Sequence, residues 1–118
     1  MYVQGFIIAV PEDRKDDYIK LARDVDPMFA EFGATEIMEA WEEDVPNGEV
    51  TDFRKAVNAT PDEKIVFSWM VWPDKETCDA AHEKMMSDER FKEMPADMPF
   101  DGKRMVFGGF APVFTFGR

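Results

Sequence analysis

Ile65-Val66-Phe67-Ser68-Trp69-Met70-Val71-Trp72 is a run of eight residues in which only Ser68 is not large and apolar, and Pro73 stops it. A strand with one wet face alternates apolar and polar residues. This one does not, so both of its faces need cover. One face can take the chain's own helices. The other needs a second layer, and a second copy of the chain can supply it.

Working outward, Tyr2 to Val10 reads as another two-sided strand, with Phe6, Ile8 and Val10 on one face and Val3, Ile7 and Ala9 on the other. Gly5 inside it implies close approach by a neighbour. Asp13 is the expected N-cap of a first helix. Its stripe is Tyr18, Leu21, Ala22, Val25, Met28, Phe29 and Phe32, and Gly33 stops it. Pro27 within the pattern predicts a kink or a split. Residues 34–41 form a less apolar strand suited to a sheet edge.

Residues 42–63 read as a long irregular connection, with Thr51 capping a short turn over 53–57. After the opening strand, Asp74 caps a second helix that runs to about Arg90, with Cys78, Ala81, Met85 and Met86 on its stripe. Pro95 and Pro99 keep residues 91–100 irregular. The last strand spans 104–116, and Gly108-Gly109 predicts a bulge or bend within it.

The order strand, helix, strand, strand, helix, strand predicts an α+β, ferredoxin-like βαββαβ fold over residues 1–118 as a single domain. Its four-stranded antiparallel sheet carries two helices on one face. The second face would be a large apolar surface in a lone subunit. Two such sheets packed face to face, as a homodimer, remove that exposure.

The totals exclude several function classes. The chain has 118 residues, enough for one domain with a real core. With 14 Lys and Arg against 25 Asp and Glu, the net charge is −11. Nucleic acid as the main partner, and an anionic membrane surface, are therefore disfavoured. No apolar run is long enough for a membrane span, and Met1 to Gly5 does not resemble an export signal. With Cys78 as the only cysteine, a reducing cytoplasm is the expected compartment.

Several stretches carry a family likeness. Tyr2-Val3-Gln4-Gly5-Phe6, Trp41 through Gly48, Val66 through Pro73, and Met98 through Met105 with Gly108-Gly109-Phe110 resemble the signatures of DUF1428, a bacterial family of unknown function. That family is similar to the dimeric α+β barrel group, in which two ferredoxin-like sheets face each other. The resemblance implies no established activity and no assigned catalytic residues. Related barrels include cofactor-free oxygenases and haem-degrading enzymes, so a small-molecule enzyme is the alternative to a binding or interaction protein, by fold analogy alone.

The residues that could carry chemistry are few. His82, the only histidine, is a candidate general base or metal or haem ligand; the plainer reading is a helix-boundary residue, since no second His completes a metal set. Cys78, four residues earlier, could form a thiolate pair with it but suits a small buried core residue better. Glu42-Glu43-Asp44 lacks the spacing of a calcium loop and reads as a solvated turn. Asp101 and Arg104 could bind an anionic group at a barrel mouth, or form a salt bridge within the fold or across an interface. Trp41, Trp69 and Trp72 could line a ligand pocket or simply pack the core. No cofactor or metal motif is present, so none is expected. The expected partners are a second copy and a small ligand.

Overall fold

The computed structural model describes residues 1–94 and 96–117, so the expectation at Pro95 lies outside the described residues. β1 (Tyr2–Pro11) leads through a 3₁₀ turn (Glu12–Arg14) into α1 (Lys15–Glu31), followed by β2 (Glu36–Trp41) and the short α2 (Phe53–Ala56). β3 (Glu63–Trp72), α3 (Lys75–Ser87), α4 (Glu89–Lys92) and β4 (Val106–Phe110) complete the chain. The sheet order is β2-β3-β1-β4, antiparallel throughout, which is the ferredoxin-like arrangement. Among the described residues no helix is long and apolar enough to cross a membrane.

β3 sits between β1 and β2, which explains its two-sided composition. Val66, Ser68, Met70 and Trp72 face the helices, each at most 6 % exposed. They pack with Ile8 and Val10 of β1, Tyr18 of α1, and Cys78 and Ala81 of α3. On the opposite face the chain covers one end itself. Val57, with Val45 and Ala59, closes over Ala9 and Ile65. Phe67, by contrast, stays 43 % exposed.

Several boundaries differ from expectation for local reasons. α1 starts at Lys15 because the 3₁₀ turn takes up Glu12–Arg14; its N-cap is Arg14, without a side-chain cap, rather than Asp13. Pro27 does not split α1, which runs on to Glu31. Arg23 and Pro27 are exposed, so water can satisfy the carbonyl that Pro27 leaves without a donor. Gly33 ends the helix at φ 124°, where a side chain would also strike Thr77. Asp52, not Thr51, caps α2 by accepting from Lys55 N. Asp74 caps α3 as expected, but α3 ends at Ser87 and Asp88 caps the separate α4. Met86 is 69 % exposed and leaves the apolar stripe.

β4 is shorter than expected, and Gly108-Gly109 forms no bulge. The pairing runs unbroken from Val3↔Phe110 to Ile7↔Val106. The two glycines make room for rings: the Phe110 ring lies over Gly5 and Gly108, and the Tyr2 phenol occupies the space a side chain at 109 would need. Among the described residues no strand continues beyond Phe110, and Pro112 lacks the donor that a ladder requires.

Candidate functional site

The residues singled out from sequence do not converge. Arg104 grips Glu63 with both ends of its guanidinium, Nη1 to Oε1 at 2.8 Å and Nη2 to Oε2 at 2.7 Å. Nη1 also donates to Asn58 O at 2.8 Å, and Nε to Asp101 Oδ2 at 3.1 Å. The Glu63 side chain is 7 % exposed, and its bonds to Arg104 hold its carboxyl down at about 2. Arg104 and Asp101 therefore staple the start of β4 to the start of β3 and leave little of the guanidinium for a ligand. Arg104→Ala strands a buried carboxylate and is expected to cost about 3 kcal/mol. Urea unfolding checks this, and Glu63→Gln alongside Arg104→Ala should cost much less than the sum of the two single changes.

Glu42 is likewise structural rather than a solvated turn. Its carboxylate accepts two bonds from Arg54 Nη2 at 2.9 Å and one from Ile65 N at 2.9 Å, anchoring the 42–62 connection to β3. Glu43 and Asp44 are exposed. The tryptophans fall on different surfaces. Trp41 packs on the helix side, with the Lys15 ammonium 5.1 Å from its ring centroid. Trp72 is fully buried on that same side. Trp69 lies on the helix-free face, its indole N–H donating to Glu36 Oε2 at 2.7 Å. There it lines a cleft of about 660 Å³ with Val3, Ile7, Phe67, Val106 and Phe110.

His82 is held within a half-buried polar relay. Trp72 Nε1 donates to Gln4 Oε1 at 2.9 Å, and the Gln4 amide, 2.9 Å from His82 Nε2, is left to donate there. His82 Nε2 thus acts as an acceptor, and its proton belongs on Nδ1. The ring packs beside Phe29 and Trp72, and burial pushes its pKa down, so it is neutral near pH 7. Cys78 is buried and its thiol is pushed up by desolvation, which suits a core residue rather than a thiolate.

The helix side also holds a partly open cavity of about 310 Å³ between α1, α3 and the sheet, bordered by described residues of the 91–105 segment. Tyr18, Asp26, Glu39, Ser68 and His82 are its polar lining, set among phenylalanine and methionine side chains. Tyr18 Oη donates to Glu39 Oε1 at 2.8 Å. The Asp26 carboxyl is hydrogen-bonded to Glu39, and burial followed by that bond pushes Asp26 up to about 8. Two carboxyl groups in hydrogen-bond contact cannot both be ionised cheaply, so at neutral pH Asp26 holds the proton that joins them. Desolvation and the Glu39 charge also push the Tyr18 phenol up, keeping it a donor.

Sequence reasoning missed Asp26 and gave Glu39 no role, although a signal existed. Tyr18, Ala22 and Asp26 follow each other at four-residue steps, which places a carboxylate on the apolar stripe of α1. Glu39 lies two residues from Ile37 and from Trp41, on the face of β2 that meets the helices. The β2–β3 register sets Glu39 directly opposite Ser68.

Comparison with known proteins agrees with this architecture. The uncharacterised protein YbaA of Escherichia coli strain K12 is 56 % identical over 112 residues, covering 95 % of this chain and 96 % of that protein. The protein of the same name from Shigella flexneri matches equally. A crystal structure of a dimeric ferredoxin-like protein from an uncultured marine organism matches with a TM-score of 0.56 at 11 % identity, covering 100 % of both chains. An uncharacterised NIPSNAP domain protein from Burkholderia xenovorans matches with a TM-score of 0.50 at 11 % identity, over 95 % of this chain and 94 % of that one. Residues 1–102 match a family described as protein of unknown function, DUF1428, and with the close relatives this settles kinship: the chain belongs to the DUF1428 family.

Proposed function

We propose that residues 1–118 act as one ferredoxin-like domain that pairs with a second copy across the helix-free face and binds a small, largely apolar molecule in the helix-side cavity. The observation that carries the binding reading is the cavity itself. At about 310 Å³ it lies at the small end of ligand pockets, and its apolar wall with a few clustered polar groups is the usual make-up of such sites. Pairing is supported by the apolar cleft on the opposite face and by the dimeric neighbour of the same fold.

One observation favours an enzymatic use of the same site. A carboxyl group poised near neutrality beside a carboxylate and a phenol suits general acid–base chemistry. The haem variant of the enzyme reading gains no such support, because His82 Nε2 would first have to surrender its bond to Gln4.

Binding is tested by titrating the protein with benzylamine, benzyl alcohol and benzoate, three small aromatic probes of different charge, and following heat and thermal shift. At least one is expected to bind with micromolar to millimolar affinity. Ala22 lines the cavity, so Ala22→Leu, which reduces the space, should weaken that probe at least tenfold while the protein stays folded. Failure of all three, or indifference to Ala22→Leu, removes the binding reading.

A further inference from the structure

We infer that the preferred occupant of this cavity is an organic cation, a primary or secondary ammonium group on a small apolar body, and that it displaces the proton held between Asp26 and Glu39. The inference rests on the binding reading above and adds the chemical class of ligand.

Charge is the first argument. α1 contributes Tyr18 and Asp26 to the cavity, β2 contributes Glu39, and α3 contributes the neutral His82. β1 and β3 contribute Phe6, Ile8, Ser68 and Met70, and the described residues of the 91–105 segment contribute phenylalanine and methionine. No Lys or Arg lies among the described lining residues. The nearby cations are engaged elsewhere: Arg14 with Asp17 and Asp97, Lys15 over the Trp41 ring, and Arg104 with Glu63. Among the described residues that line the cavity, a shared proton is the positive charge that answers the carboxyl pair; Arg23 lies outside it, in the groove that Asp26 also borders. An anionic ligand would meet a carboxylate with nothing to offset it.

Hydrogen-bonding capacity is the second argument. Ser68 is 2 % exposed and lines the cavity. It faces Glu39 across the β2–β3 ladder. An ammonium group has three donors, and Asp26 from α1 with Glu39 and Ser68 from the sheet offer three acceptors around the cavity. Aromatic rings of Phe6, Tyr18, Phe29 and Phe100 add the faces that favour a desolvated cation. Asp26 also lines an outer groove between α1 and β2, beside Arg23, so the displaced proton has a short way out.

The exchange balances simply. The ammonium enters charged, the Asp26 carboxylic acid gives its proton to solvent, and the pair ends as two carboxylates bonded to one cation. Amine binding therefore releases close to one proton wherever Asp26 is still protonated in the free protein. Calorimetric titration with benzylamine in two buffers of different ionisation heat counts that proton. About one should be released at pH 6.5 and much less at pH 8.5. The dissociation constant should tighten roughly tenfold between pH 6 and pH 7. Asp26→Asn should abolish the proton release, a readout that does not depend on how much affinity survives. If benzyl alcohol or benzoate binds as tightly as benzylamine, or benzylamine binds without releasing a proton, the cationic assignment falls and the cavity remains a binding site for another class. If no probe binds, both readings fall together.

Discussion

Phe67→Glu is expected to yield a monomer at concentrations where the wild-type protein is expected to sediment as a dimer. Phe67 lies on the helix-free face of β3, 43 % exposed, with Phe53 and Trp69 against its ring. Around it Val3, Ile7, Val106 and Phe110 continue the same apolar surface, and Phe114 of the C-terminal segment borders it. Such a surface is larger than single scattered apolar residues require, and a twofold pairing covers it on both copies at once. Symmetry also doubles the effect of one substitution. Losing the burial of one phenylalanine costs about 2 kcal/mol, so the pair loses about 4 kcal/mol, roughly a thousandfold in the dimer dissociation constant. Burying the new carboxylate would cost more. The fold should survive, because the helix-side core does not include Phe67. Sedimentation velocity at tens of micromolar reads the outcome directly. A wild-type protein that sediments as one subunit at that concentration would refute the pairing, and a Phe67→Glu variant that stays dimeric would move the interface elsewhere.

The contrast between the two faces explains what was legible in the sequence. Alternation, or its absence, is a property of neighbouring residues, so the two-sided composition of 65–72 placed β3 inside the sheet. The element order carried the topology. Which residues cover the second face depends on contacts between distant parts of the chain, and here local pattern failed. Ile65 is covered by Val57 from the irregular 42–62 connection, so the chain itself supplies part of the layer for which a second copy was the expected source. The same limit applied to the candidate site. Arg104 could be read as ligand-binding or structural from its neighbours in sequence; only the fold brings Glu63 to within 2.7 Å. Asp26 and Glu39 are 13 positions apart (39 − 26), on two elements whose separate patterns each call for one inward carboxylate. Either residue alone looks like a minor violation of amphipathicity. Their meeting beside Tyr18 becomes visible only when α1 is laid on the sheet.

Asp26→Asn is expected to stabilise the protein, by an amount that grows with pH. In the folded chain Asp26 is pushed up to about 8 from an ordinary value of 3.8. Between those limits the native state holds a proton that the unfolded chain has released, so the contribution of Asp26 to stability falls steadily as pH rises from about 4 to about 8, then levels off. Asparagine keeps the shape and can still donate to Glu39, but it does not titrate. Asp26 borders the outer groove as well as the cavity, so the expectation is the sign and the pH course of the change, a gain largest at pH 8. Tm should rise by at least several degrees at pH 8 and by progressively less toward pH 4. Other groups titrate in the opposite sense. His82, held neutral by burial, takes stability away as pH falls through 6.5, and the Glu63 bond to Arg104 does so below about 4.5. Both are common to the two proteins, so the difference between them at each pH isolates Asp26. Equal melting temperatures across the range would show that Asp26 ionises normally and that no proton bridges the pair. A stabilising replacement at a cavity-lining carboxyl group is the pattern expected where a residue is kept for what it binds rather than for what it holds together. The same substitution should therefore raise Tm while erasing the proton release that accompanies amine binding.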